Sequence, residues 1–128
     1  MSRSVISTAN APAAIGTYSQ AVKAGNTVYL SGQIGLDPAS MEMREGFDAQ
    51  TEQVFRNLKA VAEAAGGSLG DAVKLTIYLT DLADFPAVTK VWGEFYTGRG
   101  PGRTTVGVND LTPSGLRVEM TAFAVRGA

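Results

Sequence analysis

The chain has 128 residues, 45% of them hydrophobic and 18% charged, which suits one ordinary domain with a real core and excludes a disordered chain. Eleven Lys and Arg against twelve Asp and Glu give a formal charge of −1 with no basic run, so a nucleic-acid partner is not expected. With neither Cys nor His, disulfides, thiolate and Ser-His nucleophiles and nearly all zinc or iron sites drop out, and no metal or organic cofactor is expected.

Met1-Ser2-Arg3-Ser4 leads into no apolar core, and no stretch approaches the ~20 apolar residues of a membrane span, so the expected location is the cytoplasm. Residues 1–128 read as one domain without repeats or linkers. The element order runs β-β-α-β-α-β-β. Strands are expected over 19–24 and 27–31, joined at Gly25-Asn26, a dipeptide suited to the positive φ of a tight hairpin turn. Val54, Leu58, Val61, Ala62 and Ala65 recur at helical spacing, predicting a helix from Phe47 to Ala65 that stops at Gly66-Gly67. Over 72–79, Val73, Leu75, Ile77 and Leu79 alternate with Lys74, Thr76 and Tyr78 as a strand with one face on the core. A second helix follows Asp84 as cap, with Pro86 in its first turn and Phe85, Val88, Trp92 and Phe95 on one stripe, ending before Gly98. Strands over about 104–108 and 116–125 flank a loop with Pro113 and Gly115. The pattern predicts an α+β sheet with both helices on one face. The last strand is half apolar on its second face too, which points to burial against another subunit.

Chemistry concentrates in Gly100-Pro101-Gly102-Arg103-Thr104-Thr105-Val106-Gly107-Val108. Strand alternation puts Arg103, Thr105 and Gly107 on one face, leaving open space before a guanidinium fork able to bind a carboxylate bidentately. The plainer alternative is a surface Arg after a loop. Glu119, beside Phe123 and Val125 on its strand face, is a candidate desolvated proton carrier, the alternative being a pairing with Arg117 or solvation. Tyr18 and Ser31 sit beside glycines that let a ligand come close, although each alone is more often a turn or hairpin residue. Gly98-Arg99-Gly100-Pro101-Gly102 lacks the Lys-Ser/Thr and the helix of a phosphate loop. Trp92, Phe95 and Tyr96 read as core and interface, not as a base-stacking platform.

Several segments together resemble the Rid family, also called YjgF, of reactive-intermediate imine deaminases. They are Ala11-Pro12-Ala13-Ala14-Ile15-Gly16-Thr17-Tyr18-Ser19-Gln20-Ala21, Ser31-Gly32-Gln33-Ile34 with Asp37-Pro38, Gln50-Thr51 to Asn57-Leu58, Asp81-Leu82-Ala83-Asp84-Phe85, Pro101-Gly102-Arg103-Thr104-Thr105-Val106, and Arg117-Val118-Glu119. The resemblance implies a chorismate-mutase-like fold, a homotrimer and active sites in the clefts between subunits. It implies that Arg103 binds the substrate carboxylate, that Glu119 serves the hydrolytic water, and that Tyr18, Ser31, Gly32, Phe85, Thr89 and Thr105 contribute to substrate binding. The substrates so implied are 2-imino acids such as 2-iminobutanoate and 2-iminopropanoate. The chain departs from the family's pattern at Thr17, where many members have Pro, at Thr105 in place of a Cys, at Thr89 in place of an Asn, and in a shortened loop before Pro101. A non-catalytic trimer binding small carboxylates and a weak endoribonuclease are the rival readings.

Overall fold

Six strands and two helices build the chain in the computed structural model, which describes residues 3–112 and 116–125, with side chains as far as Ala122. In chain order they are β1 (Arg3–Ile6), β2 (Ala21–Ala24), β3 (Thr27–Gln33), α1 (Phe47–Ala64), β4 (Ala72–Leu79), α2 (Phe85–Phe95), β5 (Gly102–Gly107) and β6 (Val118–Val125). The strands form one mixed sheet in the order β1-β2-β3-β6-β4-β5. The hairpin β2–β3 turns at Gly25-Asn26, and the positive φ, 61°, falls on Gly25 alone. α1 ends as its glycines predict. Gly66 takes a φ of 87° while its N–H and that of Gly67 return to the carbonyls of Glu63 and Ala62.

α1 packs on β3, β6 and α2, so both helices lie on one face of the sheet. Val54, Leu58 and Val61 of α1 meet Leu75, Ile77 and Leu79 of β4 and Val118 and Met120 of β6, all fully buried. Each such side chain contributes roughly 1.5–3 kcal/mol relative to exposure. The crossover β4–α2–β5 makes β5 parallel to β4, whereas β6 returns antiparallel between β3 and β4. No helix among the described residues is long and apolar enough to cross a membrane.

Four expectations change. β1 is an additional edge strand paired with β2. Val73 is 51% exposed instead of buried, because the β4–β6 register shifts between Ala72 and Lys74 and a bulge turns the intervening residue outward. Asp84 makes no side-chain cap; its carboxylate takes the Arg117 guanidinium, whose Nη2 lies 2.7 and 2.9 Å from the two oxygens. The buried stripe of α2 is Val88 and Val91, and Phe85 and Trp92 turn toward β5. The loop expected around Pro113 and Gly115, and the Phe123 and Val125 side chains, fall outside the described residues.

Candidate active site

β6 carries Glu119 on the sheet face that no helix covers, opposite Tyr78 of β4. Its carboxylate leans across β3 onto Gly32. A Cβ built at Gly32 would collide with Glu119 Oε2 and approach its Cδ to 3.0 Å and its Cγ to 3.3 Å. The glycine is needed for this close approach, not for an unusual backbone angle. Burial pushes the Glu119 carboxyl up from the usual range. Among the described residues nothing donates a hydrogen bond to it or pairs with it. Arg117, the partner a bland reading would supply, is taken by Asp84.

Glu119 and Gly32 open into a cleft of about 420 Å³. Pro12 to Ile15 and Tyr18 form one wall, and Ile34, Leu36 and Met41 form another. Buried polar side chains hold both walls. Gln20, 4% exposed, accepts from the Thr8 N–H at 2.7 Å and donates from Nε2 toward the carbonyls of Thr8, Ala11 and Pro12. Ser31 Oγ donates to the Ser19 carbonyl at 2.6 Å, so its hydroxyl ties the first wall to β3. Gly16, with φ 116°, sets the turn before Tyr18, whose hydroxyl accepts from the Ile15 N–H at 3.4 Å and whose ring is exposed. On the other wall the fully buried Asn57 donates to the carbonyls of Ile34 and Leu36 at 2.9 and 3.0 Å. Gln53 donates to Asn57 at 2.8 Å and accepts from Arg44, which also reaches Asp37. The backbone N–H groups of Ser40 and Ala39, with Arg44 adding its charge, hold the Asp37 carboxyl below the usual range. Met41 sits in this braced turn with a φ of 59°.

Arg103 belongs to a different surface. Its register opposite Leu75, with Thr105 opposite Ile77 and Gly107 opposite Leu79, puts all three on the helix-bearing face of β5. The guanidinium lies over two rings of α2, with Cζ 5.4 Å from the Phe85 centroid and 5.0 Å from that of Trp92. Phe85, Thr89 and Trp92 are spaced i, i+4, i+7 and so share a stripe facing β5. No ion-pair partner holds Arg103 among the described residues. The space expected beside Gly107 is not open, because Leu82 side-chain atoms would lie 3.0–3.2 Å from a Cβ there. The Thr105 hydroxyl is buried and has no hydrogen-bond partner among the described residues.

The predicted residues therefore fall into two separate groups. Tyr18, Gly32 and Glu119 line the cleft on the uncovered face, with Ser31 next to Gly32 and bonded to the Ser19 carbonyl, whereas Phe85, Thr89, Arg103 and Thr105 belong to the β5–α2 edge on the other. One chain does not bring Arg103 and Glu119 together. Sequence reasoning gave no role to Gln20 and Asn57, although Asn57 stands among Val54, Leu58 and Val61 on the apolar stripe of α1, where a polar residue signals a buried bonding task. It also missed the contact of Trp92 with Arg103, which depends on how α2 crosses β5.

A mixed sheet bearing two helices on one face, with a braced cleft at β3 and β6, defines an α+β protein of the chorismate-mutase-like type. The model of the endoribonuclease L-PSP family matches residues 8–126. The chain belongs to that family, known also as YjgF or Rid. It is 52% identical over 128 residues to the protein DfrA of Myxococcus xanthus, covering 98% of this chain and 97% of the relative. It is 48% identical over 122 residues to a 2-iminobutanoate/2-iminopropanoate deaminase of Dermatophagoides farinae, covering 94% of each. A crystal structure of RidA from an Antarctic Psychrobacter superimposes with a TM-score of 0.92 at 54% identity, over 95% of this chain and 98% of that one.

Proposed function

We propose that this protein hydrolyses 2-imino acids such as 2-iminopropanoate and 2-iminobutanoate to 2-keto acids and ammonia, in sites formed where two copies of the chain meet in a homotrimer. The observation that carries the reading is the division of the chemistry: on one face an arginine, and in a cleft on the other a half-buried carboxylate, each without an ion-pair partner among the described residues. Each is half of a site for a small carboxylate that must react with water. The deaminase name of the Dermatophagoides relative, at 48% identity, supports the substrate class. The uncovered sheet face, which carries Val5, Tyr29 and Val106 at 59%, 49% and 37% exposure, supports burial against further copies.

In this reading Arg103 of one copy binds the substrate carboxylate and thereby fixes the adjacent C=N carbon. Glu119 of a neighbouring copy takes a proton from a water as the water oxygen bonds to that carbon of the protonated imine, and the C=N π pair moves onto nitrogen to give a neutral amine. The resulting carbinolamine receives that proton from Glu119 on nitrogen, the C–N bond breaks with its electron pair leaving on ammonia, and the hydroxyl proton passes back to the Glu119 carboxylate and on to solvent, leaving the keto acid. A carboxyl with its proton affinity raised by burial is suited to both transfers. Tyr18 and the Ser31-Gly32 backbone close the cleft around the reacting carbon. RNA cleavage fits less well, since the chain has no His and a net charge of −1. The test is to generate either imine in situ and time its loss with and without the protein, with the mass in solution measured by light scattering. Accelerated loss by an oligomer is expected. Binding of 2-ketobutyrate without acceleration would reduce the protein to a carboxylate-binding module.

A further inference from the structure

The carboxylate anchor stands on an aromatic platform. Trp92 is the only tryptophan of the chain, and its ring centroid lies 5.0 Å from the Arg103 Cζ. The indole is fixed from below and from the side. It packs edge-on against the fully buried Phe55, with centroids 5.9 Å apart and planes at 83°, and tilts onto Tyr96 at 5.0 Å. Tyr96 is itself tied by its hydroxyl to the Leu69 carbonyl at 3.0 Å. Gly100, in the loop that leads into β5, approaches so closely that a Cβ there would lie 3.2 Å from Trp92 Nε1. The core, α2 and the loop before Arg103 thus all fix this one ring. The aromatic face in turn attracts the guanidinium above it.

From this geometry we infer that Trp92 is the positioning residue for Arg103: its indole face, assisted by Phe85, holds the guanidinium in the orientation that receives the substrate carboxylate. The inference rests on the carboxylate-anchor reading of Arg103. The attraction of a cation to ring faces uses its charge and not its N–H groups as hydrogen-bond donors, so the ring contacts and a bidentate carboxylate do not compete. An Arg without a salt bridge otherwise samples many rotamers, and each ligand must bear the cost of ordering it. Trp92 bears that cost in advance.

Because Trp92 is the only tryptophan, global replacement with fluorinated tryptophans alters this residue alone. Fluorination drains the negative face of the ring while nearly keeping its shape. Protein made with tryptophan, 5-fluorotryptophan and 4,5,6,7-tetrafluorotryptophan is titrated with 2-ketobutyrate by calorimetry, with Arg103→Ala in parallel. Kd is expected to rise stepwise with fluorination, by about twofold to fivefold at the tetrafluoro stage. KM for imine rises with it, while kcat at saturation is unchanged, and Trp92→Phe falls between wild type and Trp92→Leu. Equal Kd across the fluorinated series, with binding lost in Arg103→Ala, would overturn the role of Trp92 and leave the anchor standing. Undiminished binding by Arg103→Ala would overturn the anchor itself and this inference with it.

Discussion

Gly32→Ala separates the geometry of the site from its mere presence. The added methyl would run into Glu119 Oε2 and lie within 3.0 Å of its Cδ, so the carboxylate has to withdraw from β3. Restoring ordinary contact takes a displacement on the order of 1 Å. What moves is the end of a flexible side chain and not backbone, so the fold loses little, roughly 0.5–1.5 kcal/mol for an unfavoured rotamer. Activity responds differently. Misplacement of a reacting group by about 1 Å costs on the order of a hundredfold. The expected result is a melting temperature within several degrees of wild type, retained affinity for 2-ketobutyrate, and a kcat for in-situ imine reduced about a hundredfold. The assay pairs thermal melts and ligand titration with imine turnover on the same preparation. Wild-type kcat in Gly32→Ala would refute the claim that the Glu119 carboxylate works from its place against Gly32.

Arg103→Ala should reduce kcat/KM by at least tenfold to a hundredfold, as loss of charge-assisted hydrogen bonds worth about 1.5–3 kcal/mol requires, with Arg103→Lys recovering only part, because an ammonium lacks the planar fork. Glu119→Gln should lower kcat by about 10²–10⁴-fold while 2-ketobutyrate still binds. The same variant should be more stable than wild type at neutral pH. Burial raises the Glu119 pKa in the folded state, so the folded chain holds this proton more tightly than the unfolded one. The stabilisation from that proton is complete below the unfolded value of about 4.3 and is lost as pH rises through the raised folded value. Melts across pH should show the advantage of the Gln variant above that window and its disappearance below it. Thr105→Val removes a buried hydroxyl without a partner and should raise stability by about 1 kcal/mol, read as a higher melting temperature; a lower one would show that assembly or substrate satisfies the hydroxyl.

The helices and central strands were legible because their periodicity is strong: Val54, Leu58 and Val61 on α1, and Leu75, Ile77 and Leu79 on β4, are all buried as their spacing requires. β1 escaped because Arg3-Ser4-Val5-Ile6 is a short, largely exposed edge whose only partner is supplied by β2. Val73 fits the alternation in the sequence but sits in a bulge fixed by β6, a partner 45 or more residues away. Such register shifts leave no local mark. The resemblance supplied the names of the site residues, and alternation alone put Arg103, Thr105 and Gly107 on one face. What neither could supply was the sheet order. The insertion of β6 between β3 and β4, with β5 outside them, puts β4 between Glu119 and Arg103, and the registers set the two on opposite faces. The space beside Gly107 was misjudged for a related reason: Leu82 reaches it from the turn before α2, far from β5 in sequence.

That separation makes the central claim directly measurable. If each site takes Arg103 from one copy and Glu119 from its neighbour, two inactive variants complement each other in mixed oligomers. Arg103→Ala and Glu119→Gln, co-expressed in equal amounts under different tags, would form trimers in which about a quarter of all sites pair an intact Arg103 with an intact Glu119. Doubly tagged oligomers should therefore recover imine hydrolysis at a substantial fraction of the wild-type rate, while each variant alone stays near background. Mixed oligomers as inactive as their parents would contradict the account, since no site would then combine Arg103 of one copy with Glu119 of another.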